Sequence, residues 1–511
     1  MGAAARGLAA ALLLSGPLWA GEVTITSAHG DLTLTGRIAG YDGTYLEIES
    51  PHGPVTLAYA GVTCAGDDCP PRDGYVPTLR LSGEPVLSTL LLPALLTGYA
   101  RDTGLTLKTG PEVDAATPYI LQDKGGKTLL TVRLRAGSSA EAFADLMTFE
   151  TDIALTYRAA NAGEIARAAE VGLDIGPSSD RSLILGGEAL VAITSPRNPQ
   201  RTIDPAALIA AFAGRITDWQ SLGQEPQPLT LHLGPAEDGQ VEAFLALLPR
   251  PPGAEITHHA TAGDLAAAVA ADPGALGITP LRATGVAQPL GLRDSCGLTM
   301  VPRLAGLKTQ DYPLTTLAFA IVRSHRQPDV VRDLLRWLRS PAAQLIVRRA
   351  GLSDQGIAPI PLDDQGERIA HAVAIAGPDT SLRDLQAMVS LMLDHVRISL
   401  TFRFANGTTD LDVASAANLR TFALAIRNGA YAGRDILLIG FSDAEGEADA
   451  NRDLSAARAL SVESALLTLL GTLPSDVRIG TRGFGEALPM GCDDTSWGRR
   501  MNRRVEVWVG D

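Results

Sequence analysis

The chain has 511 residues, which allows about three domains at the usual domain size. With 46% hydrophobic and 20% charged residues it builds ordinary globular cores, and the composition excludes a disordered chain. A net charge of −14 argues against general nucleic-acid binding, which needs a basic surface to displace counterions.

Residues 1–20 carry one basic residue, Arg6, then a short apolar stretch over 7–14 and the small residue Ala20 at the exit. This pattern predicts a secretory signal peptide and therefore an exported, periplasmic protein. The apolar stretch is too short to span a bilayer, where about 20 residues are needed. No cysteine stands near Ala20, so a lipid anchor is not expected, and no later segment reads as a transmembrane helix.

Residues 21–75 alternate as short strands around 23–26, 31–36, 45–49 and 54–57, separated by turn signals such as Asp42-Gly43. Period-two alternation of this kind predicts a small antiparallel β module. Residues 76–356 alternate strand-like and helix-like stretches, which favours an α/β architecture. Residues 357–395 read as a linker with Pro359 and Pro361, followed by an amphipathic helix that begins at Ser381. In 396–511 strands are expected near 398–404, 435–440, 477–481 and 504–509, with helices over 413–426 and 451–470. The fold class is thus α/β and multidomain.

The densest chemical signal lies after Gly440. On a helical wheel Val462, Ala465, Leu466 and Leu469 form one stripe, and Asn451 and Arg458 project onto the same side. A guanidinium on a core-facing side needs a charge partner, and Asp443, at the end of the preceding strand, is the expected neighbour. One reading is structural: Asp443 makes a turn or caps the helix and pairs with Arg458. The other is a pocket that presents a carboxylate and a guanidinium together, which suits a zwitterion.

Four blocks carry a resemblance. They are Gly440-x-Ser442-Asp443-x-x-Gly446, Asn451-x-x-Leu454-Ser455-x-x-Arg458-Ala459, Gly483-Phe-Gly-Glu486-x-x-Pro489 and Gly498-Arg499-x-x-Asn502-Arg503-Arg504. In order and spacing they resemble the OmpA-like family. The resemblance implies an α/β sandwich that binds peptidoglycan, with Asp443 and Arg458 gripping the diaminopimelate of the stem peptide. Asn451, Leu454, Arg499, Asn502 and Arg503 would lie around them. The family often has His-Thr before that Asp, where this chain has Phe441-Ser442, and the loop before Gly498 holds Cys492-Asp493-Asp494 where Asn is usual. The basic run over 498–504 could pass for a nucleic-acid patch, but export and the negative net charge oppose that reading.

The middle region resembles the PstS-like periplasmic binding proteins through Phe212-Ala-Gly-Arg-Ile-Thr-Asp-Trp219, Gly274-Ala-Leu-Gly277, Asp311-Tyr-Pro-Leu314 and Ser340-Pro-x-x-Gln344. The resemblance implies a two-lobed type II binding domain with a cleft that closes by a hinge. Its anion loops depart from the family. Ser82-Gly83-Glu84-Pro85 brings a carboxylate and a proline where donors are usual, and Gly234–Gln240 contains Glu237 and Asp238. Ser82, Ser88, Thr156, Arg158, Asp238 and Gln240 remain as candidate ligand contacts, and weak phosphate binding or none is expected. The cleft would take an unknown ligand, a small anion or a protein partner.

No Gly-x-Ser-x-Gly elbow, His-Glu-x-x-His motif or metal-ligand spacing of histidines occurs, so no enzyme, cofactor or metal is expected. The alternative function is a phosphate-transport receptor tethered to the wall. Four cysteines permit three pairings. Cys64 and Cys69 flank a short turn suited to a local bridge. That leaves Cys296 and Cys492, either linked across domains or free and buried in separate ones.

Overall fold

The computed structural model describes residues 22–510 except 73, 178, 180, 249–252, 324–325, 378–379 and 405–407. The expected signal peptide lies outside the described residues. No described helix is long and apolar enough to cross a membrane. Two compact units divide the chain: one takes in the described residues up to Tyr75 with 326–329, the other the remainder.

The smaller unit is a five-stranded antiparallel sheet in the order Gly53–Ala58, Tyr45–Ser50, Thr33–Tyr41, Glu22–Ser27, Val62–Ala65. Alternation in these strands puts Val23, Ile25, Leu46 and Ile48 on one buried side with Tyr59. A Cys64–Cys69 disulfide closes the turn beyond the last strand.

The larger unit holds an eleven-stranded mixed sheet and two smaller sheets. One strand, Ser182–Thr194, runs through both lobes of the middle domain. The first half of Ser182–Thr194 pairs with Thr315–Val322, and its second half pairs with Ala275–Pro280 in the other lobe. One core gathers around Leu81, Leu96, Val132 and Leu155, the other around Val191, Phe212, Trp219, Phe244 and Ile278. Parallel neighbours within the lobes, such as Thr78–Gly83 beside Thr128–Ala136, bury Leu79, Leu81, Leu130, Val132 and Leu134 in one core.

The C-terminal sheet has the order Pro359–Ile360, His395–Arg403, Arg504–Gly510, Asp435–Phe441, Arg478–Gly483. Alternate residues face opposite layers. Leu400, Phe402, Leu438, Val505 and Val507 pack under the helices Val413–Arg427 and Ala448–Leu470. Leu437, Ile439, Phe441 and Trp508 pack under Gly366–Ile375 and Leu382–Leu393. The segment read as a linker therefore supplies an edge strand and a covering helix. Its prolines sit where an edge strand tolerates a missing donor, and Ile369 and Ala372 meet the sheet.

Gly440 and Gly483 explain how the helix Ala448–Leu470 lies so close to the sheet. A Cβ at Gly440 would meet the carbonyl of Ser455, and one at Gly483 the amide of Ala456. Only glycine leaves that space empty.

Candidate binding sites

In the C-terminal domain buried polar side chains cluster where the strand Asp435–Phe441 runs into the loop before Ala448–Leu470. The close approach at Gly440 brings Asn451 and Arg458 of that helix beside Ser442 and Asp443, and all four are buried. Asp443 Oδ2 accepts a 2.6 Å hydrogen bond from Nη1 of Arg503, so its direct ionic partner comes from the end of the chain. Sequence spacing pointed to Arg458 as that partner, and the structure corrects this assignment. The antiparallel pairing of Gly440 with Val505 and Phe441 with Arg504 is what carries Arg503 to the carboxylate.

Arg458 is 1% exposed, lies 5.5 Å over the Phe404 ring, and its Nε and Nη1 find no hydrogen-bond partner among the described residues. Asn451 Nδ2 and Ser442 Oγ are unpartnered in the same way. Burial lowers the Arg458 pKa, the neighbouring Arg503 lowers it further, and Asp443 opposes both. Unsatisfied buried donors each cost about 1–3 kcal/mol. Four such atoms near one carboxylate make a donor-rich cluster whose hydrogen-bonding capacity the described residues leave unused.

Most of the remaining sequence-predicted residues fix the loops around this cluster. Asn502 accepts from the amides of Met490 and Gly491 and donates to the Gly491 carbonyl and to Asp493, fixing the 490–493 loop. Asp493 in turn accepts from the Ala444 amide at 3.1 Å and holds the loop after Asp443. Arg499 donates to the Asp493 carbonyl at 2.7 Å. Leu454 is partly exposed on the same helix.

The cleft of the middle domain is organised around a residue that the sequence marked only as a departure. Gly83, at φ 143°, turns the chain after Thr78–Gly83 where a Cβ would meet Leu155. Glu84 is thereby aimed between the lobes and is 1% exposed. Its Oε1 accepts from the Ser139 amide at 2.8 Å, the Ser139 hydroxyl at 2.5 Å and the Gly239 amide at 3.0 Å. Ser139 opens the helix Ser139–Met147 in one lobe, whereas Gly239 belongs to the other lobe.

The candidate cleft donors are engaged elsewhere. Arg158 is held by both oxygens of Glu164, at 2.7 and 2.9 Å, and pairs across the cleft with Glu242. Thr156 donates to the Arg158 carbonyl, and Ser88 donates back to the carbonyls of Gly83 and Glu84. Asp238 accepts from the Gln240 amide, while the Gln240 side chain donates to Glu188 and Thr316. Ser82 Oγ is buried without a partner among the described residues. Beside Glu84 lies a cavity of about 350 Å³ that also meets Tyr157, Asp238 and Arg282. The sequence signal for Glu84 was present, since a carboxylate stood in an anion loop, but only the fold shows what it touches.

The two domains are joined. Cys296 is disulfide-bonded to Cys492. Asp294 accepts from the Cys492 amide at 2.9 Å, and Ser295 donates to Asp494 at 2.6 Å. Asp311, within the middle domain, pairs with Arg397 at 2.7 Å and Arg403 at 3.0 Å. Glu506 pairs with Arg368 at 3.0 Å, Arg504 at 2.8 Å and Arg397 at 3.4 Å.

A PBP superfamily domain model matches residues 70–342, more than half of the chain. The chain belongs to the PBP superfamily. Within it, an OmpA family model matches residues 403–503, so the PBP domain is followed by an OmpA domain. The probable lipoprotein YiaD of Escherichia coli (strain K12) is 38% identical over 104 residues, 20% of this chain. The chain spans 45% of the length of that curated relative. Among solved structures, an ABC-type phosphate transport receptor from Vibrio cholerae is similar over 54% of this chain and 98% of its own, at 15% identity and TM-score 0.41. The cell wall anchor of the T6SS from Pseudomonas aeruginosa is similar over 25% of this chain and 94% of its own, at 24% identity and TM-score 0.19.

Proposed function

We propose that this is a non-enzymatic binding protein of the cell envelope that attaches to peptidoglycan through its OmpA domain. The cluster at Asp443 takes the free zwitterionic end of a diaminopimelate residue. The observation that carries this reading is Arg458, a buried guanidinium whose Nε and Nη1 have no partner among the described residues, in the same polar cluster as a carboxylate. The ligand's carboxylate would satisfy Arg458 and Asn451, and its ammonium would join Arg503 at Asp443. Arg503 acts as a positioning residue that orients the Asp443 carboxylate.

Phosphate delivery, the alternative function, loses support because Arg158 and Gln240 are spent on protein carboxylates and Glu84 takes up backbone donors in the cleft. Both domain types belong to binding families. Co-sedimentation of the full chain with purified sacculi tests the reading, with Asp443→Ala and Arg458→Ala as controls. Sacculus binding that persists in both variants would overturn it.

A further inference from the structure

We infer that the PBP cleft is an oxyanion site filled by the protein's own Glu84 carboxylate, so that its lobes stand closed without an external ligand. This rests on reading the middle domain as a two-lobed binding domain and is independent of wall attachment.

Three donors converge on one oxygen, Glu84 Oε1, and two of them are backbone amides from opposite lobes. Backbone amides converging in a buried setting are the means by which proteins hold phosphate, sulfate or carboxylate. Here the acceptor is covalently part of the chain, so its effective concentration exceeds that of any dissolved anion. A second contact crosses the cleft in the same sense, from Arg158 to Glu242. An arriving oxyanion would meet the Glu84 and Asp238 carboxylates before it met a free donor.

The OmpA domain also opposes opening, because it grips both lobes. Ala414 and Ala417 pack into the core of the first lobe beside Phe143 and Phe319, and Arg420 donates to the Ser179 carbonyl there. The second lobe is held by the Cys296–Cys492 disulfide and by Asp311. A hinge motion that parted the lobes would have to break one of these attachments.

The test compares the full-length wild type, Glu84→Ala and Glu84→Gln by calorimetry and by melting temperature. The probes are inorganic phosphate, sulfate and formate, against chloride at equal ionic strength. Wild type should take up none of the three. Glu84→Ala should melt below wild type and recover with millimolar phosphate, sulfate or formate, but not with chloride. Glu84→Gln, whose amide oxygen still fills the position, should remain closed to all of them. Micromolar phosphate or sulfate binding by wild type or Glu84→Gln would overturn the inference. So would a folded Glu84→Ala that answers the anions no more than wild type does. Should Glu84→Ala fail to fold in chloride, recovery on refolding in phosphate supports the inference and failure in both salts overturns it. Sacculus binding should be the same in all three proteins, so a failure here is separable from a failure of wall attachment.

Discussion

Nη1 of Arg503 lies 2.6 Å from Asp443 Oδ2, while Arg458, in the same polar cluster, keeps Nε and Nη1 without a partner among the described residues. The two arginines therefore do different work. In the proposed function Arg503 pairs with and orients the carboxylate, and Arg458 receives the ligand.

That division predicts an ordered set of losses in sacculus co-sedimentation. Arg458→Ala and Asp443→Ala should each abolish detectable binding, at a cost of about 2–5 kcal/mol for losing one partner of a desolvated charged contact. Arg503→Lys keeps a charge near Asp443 but loses the planar fork, and should weaken binding without abolishing it. Equal binding by Arg458→Ala and wild type would remove Arg458 from the site.

Stability should fall as pH rises from about 4.5 to about 7. Burial pushes the Glu84 carboxyl up to about 7 from its ordinary 4.5, the Ser139 hydrogen bond pulls it back, and Asp238 adds to the rise. Between those values the folded chain holds a proton that the unfolded chain has lost, so folding is favoured at the acid end. At 1.36 kcal/mol per unit the group accounts for about 3 kcal/mol across the window. Asp238 and Glu188, both raised chiefly by burial, act in the same sense, while Arg282 opposes them. Denaturant midpoints across the window should show a shallower slope for Glu84→Gln. An unchanged slope would mean that Glu84 titrates normally.

The buried charges between the domains should be sensitive to loss of one member. Burial raises the Glu506 carboxyl, but Arg368, Arg397 and Arg504 together hold it well below the usual carboxylate range. Its stabilisation is therefore present above the unfolded carboxyl range and is lost only as pH falls into strong acid. Glu506→Gln leaves guanidinium groups buried without their counter-charge and should destabilise by about 3–5 kcal/mol. Asp311→Asn should do likewise. A double-mutant cycle should show coupling, since Arg397 touches both carboxylates. Strict additivity would mean that the two pairs are independent.

Breaking the Cys296–Cys492 bridge should loosen the domains without separating them. It closes a 196-residue separation, for which a loss of about 2–5 kcal/mol is expected. Asp311 still pairs with Arg397 and Arg403 in the reduced protein, so Cys296→Ser should lower the melting temperature and preserve the folded state. Non-reducing peptide mapping gives the direct check: a cross-linked peptide carrying both cysteines should vanish in the variant.

The sequence motifs were legible where local spacing alone determines position. The glycine at 440 and the helix carrying Asn451 and Arg458 are separated by a few residues, and the fold keeps them together. Arg503 was legible as a site residue but not as the partner of Asp443, because that contact depends on strand pairing across some 60 residues. Arg403 lies in the strand expected near 398–404 and Arg397 just before it, with no sequence sign that both are buried against Asp311 from another domain. The helix Gly366–Ile375 hid behind the flanking prolines and aspartates, since its apolar positions gain meaning only once a sheet lies beneath them. Glu84 was visible as a carboxylate out of place. Its role needed the Gly239 amide, 155 residues away.

The two disulfides join neighbours in cysteine order, the first with the second and the third with the fourth. An oxidant that meets the chain from its N-terminus onward can therefore form each bond as soon as its second thiol emerges. Cys64 finds Cys69 at once, and Cys296 then waits for Cys492 with no earlier thiol left to compete for it. Thiol–disulfide reshuffling, a slow step in chains whose bridges interleave, is not required to reach this pairing. Oxidative refolding from the fully reduced chain has no such order, and the two routes should differ in how often Cys296 is first captured by Cys64 or Cys69.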